Sequence, residues 1–247
     1  MFLKSRRLDN LFFATIQKSG SQWINAVLDD PRIRKFTGLK TYPQHRYEWD
    51  DFHKNFPKGT FVPGLYMSYP LYEEISKPEK YKTFYVTRDP RNVVVSWYYS
   101  MLKTHTLIGK VGKYRRELEK LDFDQGIHYC IDALSIKFMA VRTWHDNRHD
   151  PNVLFLKFEE LTQDPVQEFL KIFNHCDIKI DKQVLEDVLQ DYSKNKMREK
   201  DLANRGAGAE SHYRKKASSY KDSFNQGHYE HFYNVTGNLV TYLGYPE

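Results

Sequence analysis

The sequence predicts an α/β protein: a central parallel sheet flanked by helices, in a single domain over residues 1–247. Three observations support this. Strand-like and helix-like segments alternate along the chain, two strands lead through short polar loops directly into helices, and the longest helix carries one apolar stripe. Such alternation is typical of helices packed on a parallel sheet. A chain of 247 residues can bury a substantial core within one domain.

The strand candidates share short runs rich in aromatic and β-branched residues, and they lie at about 11–16, 60–63, 81–87 and 153–157. The helix candidates share apolar spacing or a capping signal, and they lie at 21–29, 90–103, 126–147, 165–174 and 181–192. Within 126–147 the apolar side chains recur at steps of three and four, at Ile127, Cys130, Ile131, Leu134, Phe138, Val141 and Trp144. This spacing predicts one buried helix face.

The first strand runs into Lys18-Ser19-Gly20-Ser21 and then a helix, a pattern that suits a bound phosphate-type anion. Gly20 allows close approach of the backbone, and the first amides of a helix offer unpaired donors at the positive end of its dipole. Lys18 adds a charge, and Trp23 offers a face for a purine ring. An ordinary turn beside a core tryptophan explains the same residues. No glycine precedes Lys18 at the P-loop spacing, so an ordinary ATP or GTP loop is disfavoured.

The second strand-to-helix unit places Arg88 at the end of a strand and Ser96 about two turns into a helix. Asp89 suits the N-cap and Pro90 the first helical position. The alternative is that Arg88 pairs with a surface carboxylate and Ser96 is a small packing residue. Two such units at the carboxyl edge of one sheet predict a single ligand with two separated anionic groups.

These segments together resemble the sulfotransferases that use 3′-phosphoadenosine 5′-phosphosulfate (PAPS). Residues 15–23 are similar to the family's 5′-phosphosulfate loop, T-Y-P-K-S-G-T-T-W. Arg88 precedes Ser96 by eight positions, as in the 3′-phosphate motif, and residues 213–224 resemble R-K-G-x-x-G-x-W-K-x-x-F more loosely. The resemblance spans about residues 11 to 245. It implies the P-loop-like sulfotransferase fold, PAPS as donor, the bisphosphate PAP as product and no metal.

The resemblance also assigns site residues by position. Those around the 5′-phosphosulfate and adenine would be Lys18, Ser19, Gly20, Ser21, Gln22 and Trp23. Those at the 3′-phosphate would be Arg88, Ser96, Arg214 and Lys215. Phe158 and Ser193 resemble weaker nucleoside contacts.

Sulfuryl transfer requires in-line attack by a hydroxyl or amine, and Lys18 is predicted to stabilise the charge on the leaving oxygen. The base is less clear, because Leu65 or Tyr66 stands where the family places histidine. His53 and His105 are the candidate catalytic histidines, and His105 resembles an acceptor-pocket residue. His45 and Glu48 are further candidates for the base.

The charge and aromatic content of the chain limit the classes of ligand that it is expected to bind. The chain carries a net charge of +6, and residues 194–221, with nine Lys or Arg against three acids, carry as much. We attribute this cluster to a small anionic donor rather than nucleic acid, with 204–211 as a flexible lid or, alternatively, a solvated loop. Aromatic residues make up 15% of the chain and belong to a core or an acceptor pocket.

The two cysteines suit a reducing compartment, and no apolar run reaches the ~20 residues of a transmembrane helix. We therefore expect a cytoplasmic enzyme acting on a small-molecule or glycan acceptor. The acceptor's identity and the oligomeric state stay open. Two other interpretations also stay open: a nucleotide or nucleoside kinase with a degenerate phosphate loop, and a non-catalytic protein that binds PAPS or nucleic acid.

Overall fold

The structure, a computed structural model, describes residues 8–43, 55–107, 109–205, 210–213 and 219–247. The strands are β1 (Asn10–Thr15), β2 (Lys40–Thr41), β3 (Thr60–Leu65), β4 (Tyr81–Thr87) and β5 (Val153–Lys157). The helices are α1 (Ser21–Asp29), α2 (Pro31–Thr37), α3 (Tyr69–Glu73), α4 (Pro90–Tyr99), α5 (Val111–Leu118), α6 (Phe123–Asp146), α7 (Phe158–Gln163), α8 (Pro165–His175), α9 (Lys182–Asp191), α10 (Lys194–Arg205), α11 (Gln226–Thr236) and α12 (Leu239–Tyr242).

The five strands form one sheet in the order β2-β3-β1-β4-β5, and every neighbouring pair is parallel. The predicted parallel sheet flanked by helices is therefore confirmed. β1 lies at the centre, and Thr15 at its end is in register with Val86 of β4. The loops that follow β1, β3 and β4 consequently leave the same edge of the sheet.

Alternate residues of β1 enter two different apolar clusters, as expected for a sheet covered on both faces. Phe13 belongs to a cluster built with side chains of α1, α2, α8 and α9. Phe12 belongs to the other cluster, which includes Tyr72 of α3 and Trp144. The Trp144 indole donates a hydrogen bond to the Met67 carbonyl at 2.8 Å, so its polar group is satisfied within the core.

The chain divides into two compact units, Met1–Thr87 with Thr143–Tyr192 and Arg88–Arg142 with Ser193–Glu247. The first unit contains the whole sheet. The single domain over residues 1–247 stays a prediction.

The predicted helix 90–103 differs from the structure at its end. α4 stops at Tyr99, and Ser100–Thr104 forms a π-helical turn. Arg115 supports this wider turn, because its guanidinium donates to the carbonyl of Met101 at 2.9 Å and to that of His105 at 2.8 Å. The apolar pattern alone does not distinguish the two helix types.

The longest helix begins three residues earlier than predicted, at Phe123. Asp122 caps it, since its carboxylate accepts from the Gln125 amide at 2.8 Å while the Gln125 side chain accepts from the Asp122 amide at 3.2 Å. This reciprocal pair is a capping box that the sequence interpretation missed.

The sequence Asp-Pro-Arg begins a helix twice. At α2, the Asp30 carboxylate accepts from the Arg32 amide at 2.8 Å and from its guanidinium at 3.0 and 2.9 Å. At α4, Asp89 accepts from Arg91 in the same way, at 2.9 Å from the amide and at 3.1 and 2.9 Å from the guanidinium. Asp89 is therefore the N-cap, as predicted.

The surroundings of the two arginines differ. The Arg32 side chain is 39% exposed, whereas that of Arg91 is 3% exposed. Arg91 also donates to the carbonyl of Pro246 at 2.5 Å and lies over the Tyr220 ring at 3.9 Å from its centroid. The second arginine therefore joins the start of α4 to the C-terminal part of its own unit.

Both cysteines are free thiols in buried positions. Burial raises the pKa of Cys130 and raises that of Cys176 to about 12, so neither favours the reactive thiolate. In the described part of the chain, no helix is long and apolar enough to cross a membrane.

Candidate active site

The loop between β1 and α1 has an uncommon backbone conformation. Lys18 and Gly20 both have left-handed backbone angles, with φ of 72° and 78°. α1 begins at Ser21, and no side chain of the described residues caps its first turn. The first amides of α1 are therefore available to a ligand, at the positive end of the helix dipole.

Gly20 is fixed by its neighbour as well as by its backbone angle. A Cβ at this position would overlap the ring of Phe158, the first residue of α7. Phe158 follows β5 directly, so it reaches the loop from another strand of the same sheet. The two residues that the sequence placed near the donor, Gly20 and Phe158, are thus brought together.

Gly20→Ala should destabilise the protein more than Gly38→Ala. Gly38 ends α2 with φ 66°, and no atom of the described residues lies within 4 Å of a Cβ placed there. We expect a loss of ~1 kcal/mol at Gly38 from the backbone angle alone. At Gly20 the overlap with Phe158 should add about 1–3 kcal/mol. Urea unfolding of both variants measures the difference, and equal losses would contradict the close contact.

Two buried hydroxyl groups lie near the loop without a protein hydrogen-bond partner. The Oγ of Ser19 and the Oγ1 of Thr87 are both buried, and neither has a partner among the described residues. Thr15 ties the two strand ends together, because its hydroxyl donates to the Val86 carbonyl at 2.7 Å. A buried hydroxyl left unpaired is costly, so the Ser19 hydroxyl suits a bound polar group.

Ser21, the first residue of α1, is paired with Tyr66, the first residue after β3. The Tyr66 hydroxyl donates to the Ser21 Oγ at 2.7 Å. Ser21 is buried and Tyr66 is half-buried. The structure therefore places Tyr66, which stands near the expected histidine position, against the predicted phosphosulfate loop.

The remaining loop residues occupy different environments. The side chain of Gln22 is exposed, so its predicted contact would come from the backbone. Trp23 is half-buried and packs edge-on against Phe169, with ring centroids 5.5 Å apart. Its stacking on adenine stays a prediction.

Two of the residues predicted for the 3′-phosphate, Arg88 and Ser96, belong to the second unit. Arg88 is the residue between β4 and the N-cap Asp89, and Ser96 lies in α4, two turns along. Both are half-buried. Ser193 precedes α10 and accepts from the Met197 amide through its carbonyl. Their contacts with a nucleotide stay predictions.

The structure describes only some of the residues that are candidates for the catalytic base. His105 ends the π-helical turn, and its ring lies 6.3 Å from that of His212. The other candidates, together with the two C-terminal basic residues, lie outside the described residues: His45, Glu48, His53, Arg214 and Lys215. Among the described residues, no group of three or more His, Cys, Asp or Glu side chains could hold a metal ion.

The predicted flexible segment 204–211 is wrong at its start, because α10 continues to Arg205. The Asp201 carboxylate accepts from Arg205 at 2.8 Å and from Ser211 at 2.7 Å, and the His212 amide donates to it at 2.8 Å. Burial alone would raise the pKa of Asp201, but these hydrogen bonds lower it. The same carboxylate therefore binds both sides of residues 206–209, which are not described. A lid here stays a prediction.

Comparison with known proteins decides the family. The model of the sulfotransferase domain family matches residues 8–244. The chain belongs to this family. Human sulfotransferase 1C2 is 22% identical over 244 residues, which cover 93% of this chain and 79% of that protein. The activity class is therefore sulfuryl transfer, and the kinase interpretation is not favoured.

Solved structures share the fold of this sulfotransferase. Mouse sulfotransferase SULT7A1 complexed with PAP superposes with a TM-score of 0.69 at 19% identity, covering 96% of this chain and 89% of that one. Retinol dehydratase in a complex with retinol and PAP gives a TM-score of 0.58 at 18% identity, covering 94% and 81%.

Proposed function

We propose that this sulfotransferase uses PAPS as its donor and releases PAP. The observation that carries the proposal is the β1–α1 loop, where left-handed Lys18 and Gly20 precede an uncapped helix start. The buried Ser19 hydroxyl, which has no partner in the described part of the chain, supports it, because a sulfate or phosphate oxygen would accept its hydrogen bond. Lys18 through Trp23 would hold the 5′-phosphosulfate and adenine.

The 3′-phosphate would be bound by Arg88 and Ser96, with Arg214 and Lys215. An arginine fork matches the oxygens of a phosphate group, and a serine hydroxyl can donate to one of them. The order of these residues in the sequence supports this part of the proposal. The PAP complexes among the structural neighbours agree with it.

The acceptor would be a hydroxyl or an amine on a small molecule or glycan. One structural neighbour binds retinol, an apolar alcohol, together with PAP. The free cysteines are consistent with a cytoplasmic location, which we also propose. Lys18 would stabilise the oxygen that leaves sulfur, since its ammonium carries charge to the position where negative charge develops.

Calorimetry with PAP and ATP tests the donor. We expect PAP to bind tightly in EDTA and ATP to compete poorly, because the site should be built for two separated phosphate groups. Incubation with labelled PAPS and a panel of phenols, alcohols, amines and glycans should then label at least one acceptor. Tight ATP binding that needs Mg²⁺ would overturn the proposal. PAP binding without any turnover would favour the non-catalytic alternative.

A further inference from the structure

A bulge in β3 decides where Tyr66 points. Phe12 and Ala14 of β1 are two residues apart, but their partners Val62 and Leu65 are three apart, so β3 carries one extra residue. Pro63 cannot donate to the ladder, and Gly64 has a left-handed φ of 62°.

The consequence is a change of face. Residues three apart in a regular strand lie on opposite faces, yet Val62 and Leu65 belong to the same apolar cluster. Tyr66 therefore projects to the opposite face, that of α1, where its hydroxyl meets Ser21. Bulges re-aim side chains in this way beside active sites.

A second observation points to the same face of α1. Asn25 lies one turn beyond Ser21, at the i+4 position, where side chains share a helix face. Its Oδ1 is buried without a hydrogen-bond partner among the described residues. This oxygen only accepts hydrogen bonds, so a hydroxyl or amine of a substrate would satisfy it.

We propose that Tyr66 and Ser21 form a proton relay that acts where the family places a histidine base; the inference rests on the proposed use of PAPS. A tyrosine hydroxyl can accept one proton while it donates its own. As the acceptor oxygen bonds to sulfur and the sulfur–oxygen bond to the phosphate breaks, the acceptor's proton passes to the Tyr66 Oη. The Tyr66 proton passes to the Ser21 Oγ, and the Ser21 proton passes to the phosphate oxygen that leaves. The product is a sulfate ester and protonated PAP, with no net change in the protein.

The direction of the hydrogen bond between Tyr66 and Ser21 suits the relay. Tyr66 donates to Ser21, so the Ser21 hydroxyl hydrogen is left to donate to an anion at the helix start. A tyrosine that only supported the loop would need no contact with the acceptor. Its loss would then weaken PAP binding without any dependence on the acidity of the acceptor.

Tyr66→Phe tests the relay, with Tyr69→Phe as the matched control. Tyr69 donates to the Asp150 carboxylate at 2.8 Å, so the control also removes one paired phenol hydroxyl from the same unit. With benzyl alcohol as acceptor, we expect kcat of Tyr66→Phe to fall by about 10²–10⁴. With 4-nitrophenol, which loses its proton readily, the fall should be much smaller. Tyr69→Phe should leave both rates unchanged.

A measurement without turnover completes the test. The ¹³Cζ resonance of Tyr66, identified by its loss in Tyr66→Phe, should shift when PAP is added, because a polarised Ser21 accepts more strongly from Tyr66. PAP affinity should change by no more than about tenfold, as expected for one neutral hydrogen bond.

The outcomes separate the two proposals. If the wild-type protein does not bind PAP, the donor assignment fails. If it binds PAP but the Tyr66 resonance does not move, or Tyr66→Phe keeps its kcat with benzyl alcohol, the relay is wrong and the donor assignment stands.

Discussion

Lys18→Ala is expected to lower kcat by about 10²–10³, the usual effect of removing one group that stabilises developing charge. PAP affinity should fall far less. The ammonium acts most strongly when negative charge builds on the leaving oxygen, which occurs in the transition state and not in the bound ground state. The Ser19 hydroxyl and the amides at the start of α1 remain in the variant and should keep the anion bound.

The backbone conformation at position 18 does not complicate the interpretation of this experiment. Lys18 has a φ of 72°, an angle that disfavours Ala and Lys alike, so the substitution adds little strain. Lys58→Ala is a suitable control, because it removes a lysine that is 68% exposed and pairs with Asp9 at 3.2 Å. Steady-state rates and PAP calorimetry on both variants distinguish a role in turnover from a role in donor binding. Equal losses of turnover and affinity at Lys18 would mean that the lysine only binds the donor.

Arg91→Ala should destabilise the second unit by about 3–5 kcal/mol, because it removes the guanidinium whose charge compensates the buried Asp89 carboxylate. The Pro246 carbonyl and the Tyr220 ring lose a contact in the same step. Arg91→Lys should recover little, since an ammonium cannot reproduce the planar fork.

Arg32→Ala is the matched control for this prediction. It removes the same hydrogen bonds to a buried aspartate N-cap, together with an ion pair to Asp191 at 3.0 Å, but from a side chain that is 39% exposed. We expect a loss of ~1 kcal/mol there, because water can reach the Arg32 side of the pair although Asp30 itself is buried. Chemical denaturation followed by tryptophan fluorescence and by hydrogen exchange compares the variants. Similar losses at the two arginines would show that burial contributes nothing to the second pair.

The sequence predicted the elements whose signals are local. The bounds of β4, β5 and α1 agree with the structure, because apolar runs mark the two strands and Gly20 and Asp30-Pro31 flank the helix. The Asp89 N-cap and the glycine at position 20 follow from local chemistry in the same way. The position of the first loop at the carboxyl edge of the sheet follows from the parallel pairing of β1 with β3 and β4.

Other features depend on residues far apart in the chain and could not be predicted. The orientation of Tyr66 follows from an extra residue in β3 that only the pairing with β1 reveals. The close contact of Gly20 with Phe158 joins positions 138 residues apart. α10 was missed because no residue of it is buried, so it has no apolar stripe.

The two Asp-Pro-Arg tripeptides have the same sequence but should differ in their tolerance to substitution. At positions 30–32 the aspartate is buried but the arginine is 39% exposed, so replacing the arginine should be tolerated. At positions 89–91 both side chains are buried and the arginine contacts Pro246 and Tyr220, so the same replacement should not be tolerated. An estimate of mutational tolerance from the tripeptide sequence alone would rank the two sites alike. Only their structural surroundings distinguish them.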